Sequence, residues 1–556
     1  MHNQLSLALG FIVALLVSYT YIFINDPRFP VERPEVLWAG FCMSFFAFVL
    51  GGFLMKSKKK AADISLKESV WAVVLTWLIG CSVSATVFVL AGFPIPARIE
   101  EFSLFRRFVD GFFESVSGFT TAGGSILASV EVFPRGVLMW RSITHWLGGA
   151  GIAYLAITIW KHFKYKREKI ANAEIEGPNY VEYKDENEAV EAGYDFIKIF
   201  SLLTFFLFIS LVITGTYFRT VPYQHFYDVI FDAFNHALSV MGTGGFGTYD
   251  ASAGLPITEN GVSVIGGLRS PASEWVIGLF MFIAGSNLSL WYILFFKGRL
   301  RDMLKNTEFR AFVAFVALMT VGIWLVLVFD NVYSDAFVAL RYAFFNVNTI
   351  LSTTGLATFD FTQWPAAAEA LLFCCYLVGG MVGSTAGGLK ILRFIVLYKF
   401  IVLKIRNLLT GKRESSFVID GVRYDDSAAA LIVVNIVLYL LVFLAGAILI
   451  MIVSTKNIFP DGSSKTVDFT SAITASIANL GNIGPAVEIG NINAGPAGNY
   501  FAYSEAAKIV MSILMLIGRL GVFTFLMMFI TPKGASSISD QVSEQRFDSD
   551  APILHS

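Results

Sequence analysis

Ten separate stretches of this chain are apolar enough and long enough to cross a lipid bilayer. A helix needs about 20 apolar residues to span a hydrocarbon core roughly 30 Å thick. Runs of that kind lie near residues 6–24, 36–55, 70–93, 137–160, 196–218, 274–296, 310–329, 367–403, 429–454 and 504–530. Backbone in lipid must bond to itself, and runs of this length do so as helices. Of the 556 residues, 55% are hydrophobic and 15% charged, where soluble domains carry roughly a quarter charged. A string of soluble enzyme domains is therefore excluded. With 41 basic against 42 acidic residues, there is no electrostatic case for nucleic acid. The first run lacks a basic leader and is followed by Asn25-Asp26-Pro27-Arg28, so it reads as a span rather than a cleaved signal. The pattern predicts an all-α polytopic membrane protein.

Lysine and arginine in the short loops set its orientation. Clusters follow the second span (Lys56, Lys58, Lys59, Lys60), the fourth (Lys161, Lys164, Lys166, Arg167, Lys169), the sixth (Lys297, Arg299, Arg301, Lys305) and the eighth (Lys404, Arg406, Lys412, Arg413). Alternating spans put all four clusters on one side, which predicts that side, and both termini, to be cytoplasmic. Arg28 and Arg33 fall in the first outer loop, offset there by Asp26, Glu32 and Glu35. Residues 164–193 and the tail from Lys533 read as solvated segments. Cys42, Cys81, Cys374 and Cys375 sit in apolar runs without metal-ligand spacing and read as buried thiols.

The eight spans after the first two form four pairs. Each outer connection holds a semi-apolar stretch too short to span, ending in Thr121-Ala122-Gly123, Thr243-Gly244-Gly245, Thr353-Thr354-Gly355 or Asn482-Ile483-Gly484. These glycines are 122, 110 and 129 residues apart. Eleven residues before each glycine stands an apolar anchor: Phe112, Phe234, Phe344 or Ile473. An aspartate lies near the start of each stretch (Asp110, Asp228, Asp335, Asp468), where a helix N-cap favours one. A helix entering from outside aims its partially negative C-terminus at the membrane centre. Non-helical backbone at that depth must be buried in protein or line a water-filled path. Four such loops around one axis would supply rings of carbonyl oxygens able to replace an ion's hydration shell.

With these tripeptides go Ser117-Gly118-Phe119-Thr120-Thr121, His145-Trp146-Leu147-Gly148-Gly149, Thr243-Gly244-Gly245-Phe246, Gly383-Ser384-Thr385-Ala386-Gly387-Gly388-Leu389-Lys390, Asn482-Ile483-Gly484-Pro485 and Gly518-Arg519-Leu520. From about residue 66 to 532 the chain resembles the pore-forming subunits of the Trk/Ktr/HKT potassium transporter superfamily, most closely the bacterial Trk type. The helix pair at 6–55 is similar to the additional N-terminal unit of Trk-type members. The resemblance implies four pseudo-fourfold repeats of span, pore helix, filter loop and span, at 66–163, 194–305, 306–413 and 425–532. These follow an N-terminal pair within 1–60, with a cytoplasmic loop at 164–193 and a tail at 533–556. It implies a potassium-binding filter at Thr120, Thr121, Ala122, Gly123, Thr243, Gly244, Gly245, Thr353, Thr354, Gly355, Asn482, Ile483 and Gly484. It implies a gate at Gly383, Ser384, Thr385, Ala386, Gly387, Gly388 and Arg519. It further implies a homodimer in the bacterial inner membrane and a cytosolic regulatory subunit that binds NAD or ATP. The chain itself carries no nucleotide motif or other cofactor signature. Ala122-Gly123-Gly124 stands where Thr-Gly-Ala is commoner in the family, and Leu356 where Phe is common. Some members that admit sodium carry Ser at the first filter glycine, so Gly123 favours potassium.

Other polar residues have plainer readings. The eighth run, at about 37 residues with five glycines, is too long for one straight span and predicts a broken helix. Lys390 and Arg393 at its inner end read as interfacial anchors. His145 and His236 read as packed core histidines, and Glu114 as a local ion-pair partner of Arg106 and Arg107. Arg519, flanked by Gly518 and Gly521, lies near mid-membrane, where a guanidinium costs about 2.5–3.5 kcal/mol and must face protein or water. The expected function is potassium uptake through a channel-like path. The alternatives are proton- or sodium-coupled symport and, further off, a membrane-embedded enzyme.

Overall fold

The computed structural model describes residues 2–27, 30–57, 66–92, 103–127, 129–163, 186–218, 225–250, 252–253, 256–259, 262–265, 270–411, 414–454, 457–458, 464–486, 494–496, 498–527 and 529. Among them are eighteen helices. These are α1 (His2–Ile24), α2 (Pro34–Ser57), α3 (Leu66–Ala91), α4 (Leu104–Phe119), α5 (Arg135–Phe163), α6 (Glu186–Tyr217), α7 (Phe226–Met241), α8 (Pro271–Gly285) and α9 (Leu288–Lys297), then α10 (Leu300–Lys305), α11 (Thr307–Phe329), α12 (Ala336–Leu351), α13 (Ala366–Leu377), α14 (Ile391–Thr410), α15 (Asp426–Val453), α16 (Phe469–Leu480), α17 (Glu505–Leu520) and α18 (Val522–Met527). Three antiparallel two-stranded hairpins are the only strands among the described residues: β1 (Pro256–Glu259) with β2 (Val262–Ile265), β3 (Ser416–Ile419) with β4 (Val422–Asp425), and β5 (Asn457–Ile458) with β6 (Ser464–Lys465). The loop 164–185 and the tail from 530 lie outside the described residues.

Five helices contain an unbroken segment long and apolar enough to cross a membrane: Leu7–Ile24, Val74–Ala91, Glu191–Tyr217, Thr307–Phe329 and Asp426–Val453. The sixth run differs from the straight span expected. It bends by 101° between α8 and α9, where Asn287 caps the new helix by accepting from the Ser289 N–H. The eighth run is broken as its length required, α13 stopping at Leu377 and α14 starting at Ile391.

The four short helices α4, α7, α12 and α16 organise the rest. Each packs on the helix before it (α3, α6, α11 and α15) and on the helix after it (α5, α8, α13 and α17). Each following helix also packs on the next short helix: α5 on α7, α8 on α12, α13 on α16, and α17 back on α4. That closes a ring of four units, with α1 and α2 attached outside through α1 against α5. The anchors Phe112, Phe234, Phe344 and Ile473 are all half-buried.

The aspartates divide. Asp335 and Asp468 are N-caps, accepting from Phe337 N–H and Ser471 N–H. Asp228 lies in the first turn of α7, a position the macrodipole favours. Asp110 is no cap: Ser103 caps α4, and buried Asp110 instead pairs with Lys508 of α17 at 2.6 Å. Cys81 and Cys375 are buried, whereas Cys42 and Cys374 turned out to face outward, because their neighbours in sequence take the inward helix faces.

Candidate functional site: a four-loop ring and the loop beneath it

All four short helices end in the same way. After the last helical residue comes one residue in the right-handed region (Thr120, Gly242, Ser352 or Gly481), then one left-handed residue. The left-handed residues are Thr121 at φ 56°, Thr243 at 53°, Thr353 at 55° and Asn482 at 54°. The next N–H reaches back five residues at each: Ala122 to Ser117 O, Gly244 to Ser239 O, Thr354 to Thr349 O and Ile483 to Ala478 O, at 2.8–2.9 Å. This is the Schellman ending that glycine normally supplies. Threonine, being β-branched, pays a steric cost there that glycine would not. Its hydroxyl must therefore be doing something a glycine could not.

The third residue of each tripeptide is a glycine with positive φ: Gly123 at 76°, Gly245 at 81°, Gly355 at 78° and Gly484 at 100°. Each faces the carbonyl of the neighbouring unit. A Cβ on Gly123 would lie 2.0 Å from Gly244 O, one on Gly245 2.1 Å from Thr354 O, one on Gly355 2.1 Å from Ile483 O, and one on Gly484 2.7 Å from Ala122 O. The sequence of contacts runs from the first unit through the fourth and returns to the first. No side chain fits at those four approaches.

Ala122, Thr121, Thr243, Thr353, Thr354, Asn482, Ile483 and Gly484 are buried, while Gly123, Gly245 and Gly355 remain partly accessible. Among the described residues, no N–H or O–H is donated to any carbonyl of the four tripeptides except Gly484 O, which accepts from the Tyr500 hydroxyl at 2.7 Å. Buried carbonyls are normally satisfied, so a ring of oxygens without donors calls for a partner of another kind. A desolvated cation is such a partner.

Two buried groups brace the ring, and sequence reading missed both roles. His145 of α5 accepts from Phe246 N–H at Nε2, 3.2 Å away, while its Nδ1 lies 2.8 Å from Gly118 O. The imidazole thus ties the end of α4 to the loop segment after Gly245. Glu114 does not pair with Arg106 or Arg107 as expected. Its carboxylate meets Arg141 of α5 at 2.8 Å and accepts from Ser125 Oγ and Ile126 N–H just beyond Gly123. Arg106 turns instead toward Glu505 and Asp110, because a helix places Glu114 two turns further on. Arg141 also donates to Gly247 O and stacks on Phe246, joining the first two units. An arginine four residues before a histidine in a membrane run was the available signal. His236 is buried on α7 with Nδ1 2.8 Å from Asp232 O, in agreement with core packing.

Residues 378–390 form a loop against the helix-end side of the ring. Its two legs bond to each other, Gly379 N–H to Leu389 O and Ile391 N–H to Gly380 O. The break between α8 and α9 serves it: Met381 N–H donates to Gly285 O, Thr385 N–H to Ala284 O, and Leu288 N–H to Gly383 O. Thr385 Oγ1 reaches Met241 O, Thr243 Oγ1 reaches Thr385 O at 2.8 Å, and Gly387 N–H donates to Thr353 Oγ1 at 2.7 Å. Gly387 also packs against Gly481 O and Asn482, while Ser384 closes a turn on Met381 O. Two of the left-handed threonines, Thr243 and Thr353, thus hold the loop. Thr121 Oγ1 has no partner among the described residues.

Arg519 is buried and donates to Thr385 O and to Gly148 O, both at 2.8 Å. Together the loop and Arg519 touch all four units. Gly518 lets α17 approach the end of α16, since a Cβ there would lie 2.0 Å from Leu480 O. One expectation is corrected here: Lys390 is no interfacial anchor, being buried and donating to Ala386 O within the loop.

A family model described as TrkH, cation transport protein, matches residues 96–539. The Trk system potassium uptake protein TrkH of Escherichia coli K12 is 30% identical over 491 residues, covering 88% of this chain and 91% of that protein. The protein of the same name from Halomonas elongata is 28% identical, over 76% of this chain and 78% of its own. The crystal structure of the potassium transporter TrkH from Vibrio parahaemolyticus shares the fold, with a TM-score of 0.74 at 23% identity, over 95% of this chain and 97% of that one. The chain belongs to the TrkH family of cation transport proteins, and it is a multi-pass membrane transporter rather than an enzyme.

Proposed function

We propose that this protein takes up potassium through the ring of backbone oxygens formed by Thr121 to Gly123, Thr243 to Gly245, Thr353 to Gly355 and Asn482 to Gly484. One observation carries the reading: four glycine-spaced loops close a ring whose carbonyls take almost no hydrogen bonds. Oxygens so placed can exchange for the hydration shell of a monovalent cation without a dedicated charged ligand. The membrane potential drives entry, at about 2.3 kcal/mol per charge per 100 mV. The relatives named as potassium uptake proteins support potassium as the ion.

The loop at 378–390 is the gate, with Gly383, Ser384, Thr385, Ala386, Gly387 and Gly388 crossing the path and Arg519 fastening it. Thr120, at the last turn of α4, sets the entry angle of the first filter loop. Span, pore helix, filter and span recur at 66–163, 194–305, 306–413 and 425–532. The protein works as a homodimer in the bacterial inner membrane, with both termini cytoplasmic and lipid on its apolar faces. A cytosolic subunit that binds NAD or ATP controls it, and no cofactor resides in this chain besides the transported potassium.

Purified protein in liposomes, given a potential and no proton or sodium gradient, should take up potassium in preference to sodium. Growth of an uptake-deficient bacterium on low potassium should follow expression. Sodium preferred over potassium would remove the potassium reading. Flux that requires an imposed proton or sodium gradient would replace the channel by a symporter.

A further inference from the structure

The hairpin β3–β4 lies between α14 and α15, on the side of the lysine and arginine clusters. Its turn, Asp420-Gly421, has both residues at positive φ, 48° and 85°, the two-residue turn that suits the twist of a hairpin. Asp420 also reaches out of the hairpin. Its carboxylate accepts from Thr307 N–H at 2.8 Å and from the Thr307 hydroxyl, at the first residue of α11. Those donors belong to a helix N-terminus, where a carboxylate is favoured. The hairpin also attaches to α14, through Lys399 Nζ donating to Val418 O at 2.9 Å, and Asp425 at its end caps α15. Ile419 and Tyr424 are buried, and Tyr424 stacks on Phe417, so the hairpin is a packed element. Burial, with the charges of Glu308 and Asp420 nearby, pushes the Tyr424 phenol up to about 12.

The residue after Thr307 is Glu308, fully buried, whose carboxylate accepts from Val382 N–H of the gate loop at 2.9 Å. Three links therefore join the hairpin turn to the loop: Asp420 to Thr307, Thr307 to its neighbour Glu308 through the backbone, and Glu308 to Val382. The hairpin also bridges α11, which holds the loop's first leg, and α14, which continues its second.

We infer that the β3–β4 hairpin is a strut that holds the gate loop across the ion path, with Asp420 and Glu308 as positioning residues. The inference rests on the reading of residues 378–390 as the gate. Separating Glu308 from Val382 would take a hydrogen bond from a buried carboxylate, so the loop and the start of α11 are coupled. A force applied at the hairpin from the loop's own side of the membrane then reaches the gate without passing through the filter.

The test is potassium flux per inserted protein in liposomes, for the full chain alone. Asp420→Gly keeps the left-handed turn and removes the carboxylate; Asp420→Asn keeps the turn and an acceptor. Glu308→Leu and Glu308→Gln make the same contrast at the loop. Lys399→Met, at the hairpin's outer attachment, is a mild surface change. Asp420→Gly and Glu308→Leu should raise flux by about tenfold, the worth of one hydrogen bond to a charged group. Lys399→Met should raise it less, and Asp420→Asn and Glu308→Gln should stay near wild type. The potassium-to-sodium ratio should not change in any of them. Wild-type flux in both Asp420→Gly and Lys399→Met, or an altered ion ratio, would overturn the strut. If the wild-type protein itself passes no potassium, the transport reading fails instead.

Discussion

The hydroxyl of Thr243 lies 2.8 Å from the carbonyl oxygen of Thr385, so a residue of the ring and a residue of the loop beneath it share one hydrogen bond. Thr353 makes the complementary contact, accepting from Gly387 N–H at 2.7 Å. Both threonines sit in the left-handed region that glycine would occupy with less strain. The hydroxyl explains why they are not glycine: the same side chain that ends a short helix fastens the loop beneath the ring.

Thr243→Val and Thr353→Val keep the shape and remove the bond. Each should cost the held loop about 1 kcal/mol, which shifts an open–closed balance by roughly fivefold. Potassium flux by the chain alone should rise by that factor, and the double variant should exceed either single one. Liposome flux with a potassium electrode checks this; flux unchanged in the double variant would detach the threonines from gating.

Gly123→Ser places a Cβ 2.0 Å from the Gly244 oxygen, at a φ of 76° that serine resists. The first unit must retreat from the second, widening or tilting one ring of oxygens. Discrimination against sodium should weaken while the protein still inserts in the membrane. Reversal potentials in mixed potassium and sodium measure it, and an unaltered ratio would place Gly123 outside the filter.

Much of this arrangement was legible because it is repeated. A single Thr-Ala-Gly would be an ordinary turn, but four tripeptides at similar spacing, each with an anchor eleven residues earlier, could not be. The broken eighth run was legible from its length and glycines. What stayed hidden were contacts whose partners lie far apart in sequence. Glu114 was assigned to arginines a few residues away, yet its partner is Arg141, 27 residues on, because α5 returns beside α4. Asp110 looked like a cap and is bonded to Lys508, nearly four hundred residues later, because the fourth unit closes on the first. The bend at Ser286-Asn287 was equally silent, since both flanking segments are apolar and only the loop they support explains the break.

The Glu114–Arg141 pair should behave as a unit. Removing Arg141 alone, as Arg141→Met, strands a buried carboxylate and should lower stability by about 3–5 kcal/mol. Glu114→Gln in that background restores neutrality and should recover part of the loss. Thermal unfolding in detergent across the four proteins of the cycle gives the coupling. Additive losses would mean that the two charges do not sense each other.

Arg519 touches the loop at 378–390 and the first unit together, through Thr385 O and Gly148 O. Two consequences of its removal run in the same direction. Losing both bonds frees the loop, and losing the charge lifts a repulsion on a passing cation of roughly 1–2 kcal/mol, for charges 10 Å apart at an effective dielectric of 20–30. Against this stands a structural role, in which the guanidinium merely locks α17 to its neighbours. The two separate experimentally. Arg519→Ala, reconstituted without any regulatory subunit, should show higher potassium flux per inserted protein than wild type. It should also respond less to that subunit when added. Arg519→Lys keeps the charge but cannot span both carbonyls with a planar fork, so it should fall between the two. Flux in Arg519→Ala at or below wild type, together with a lowered melting temperature, would assign Arg519 to packing alone.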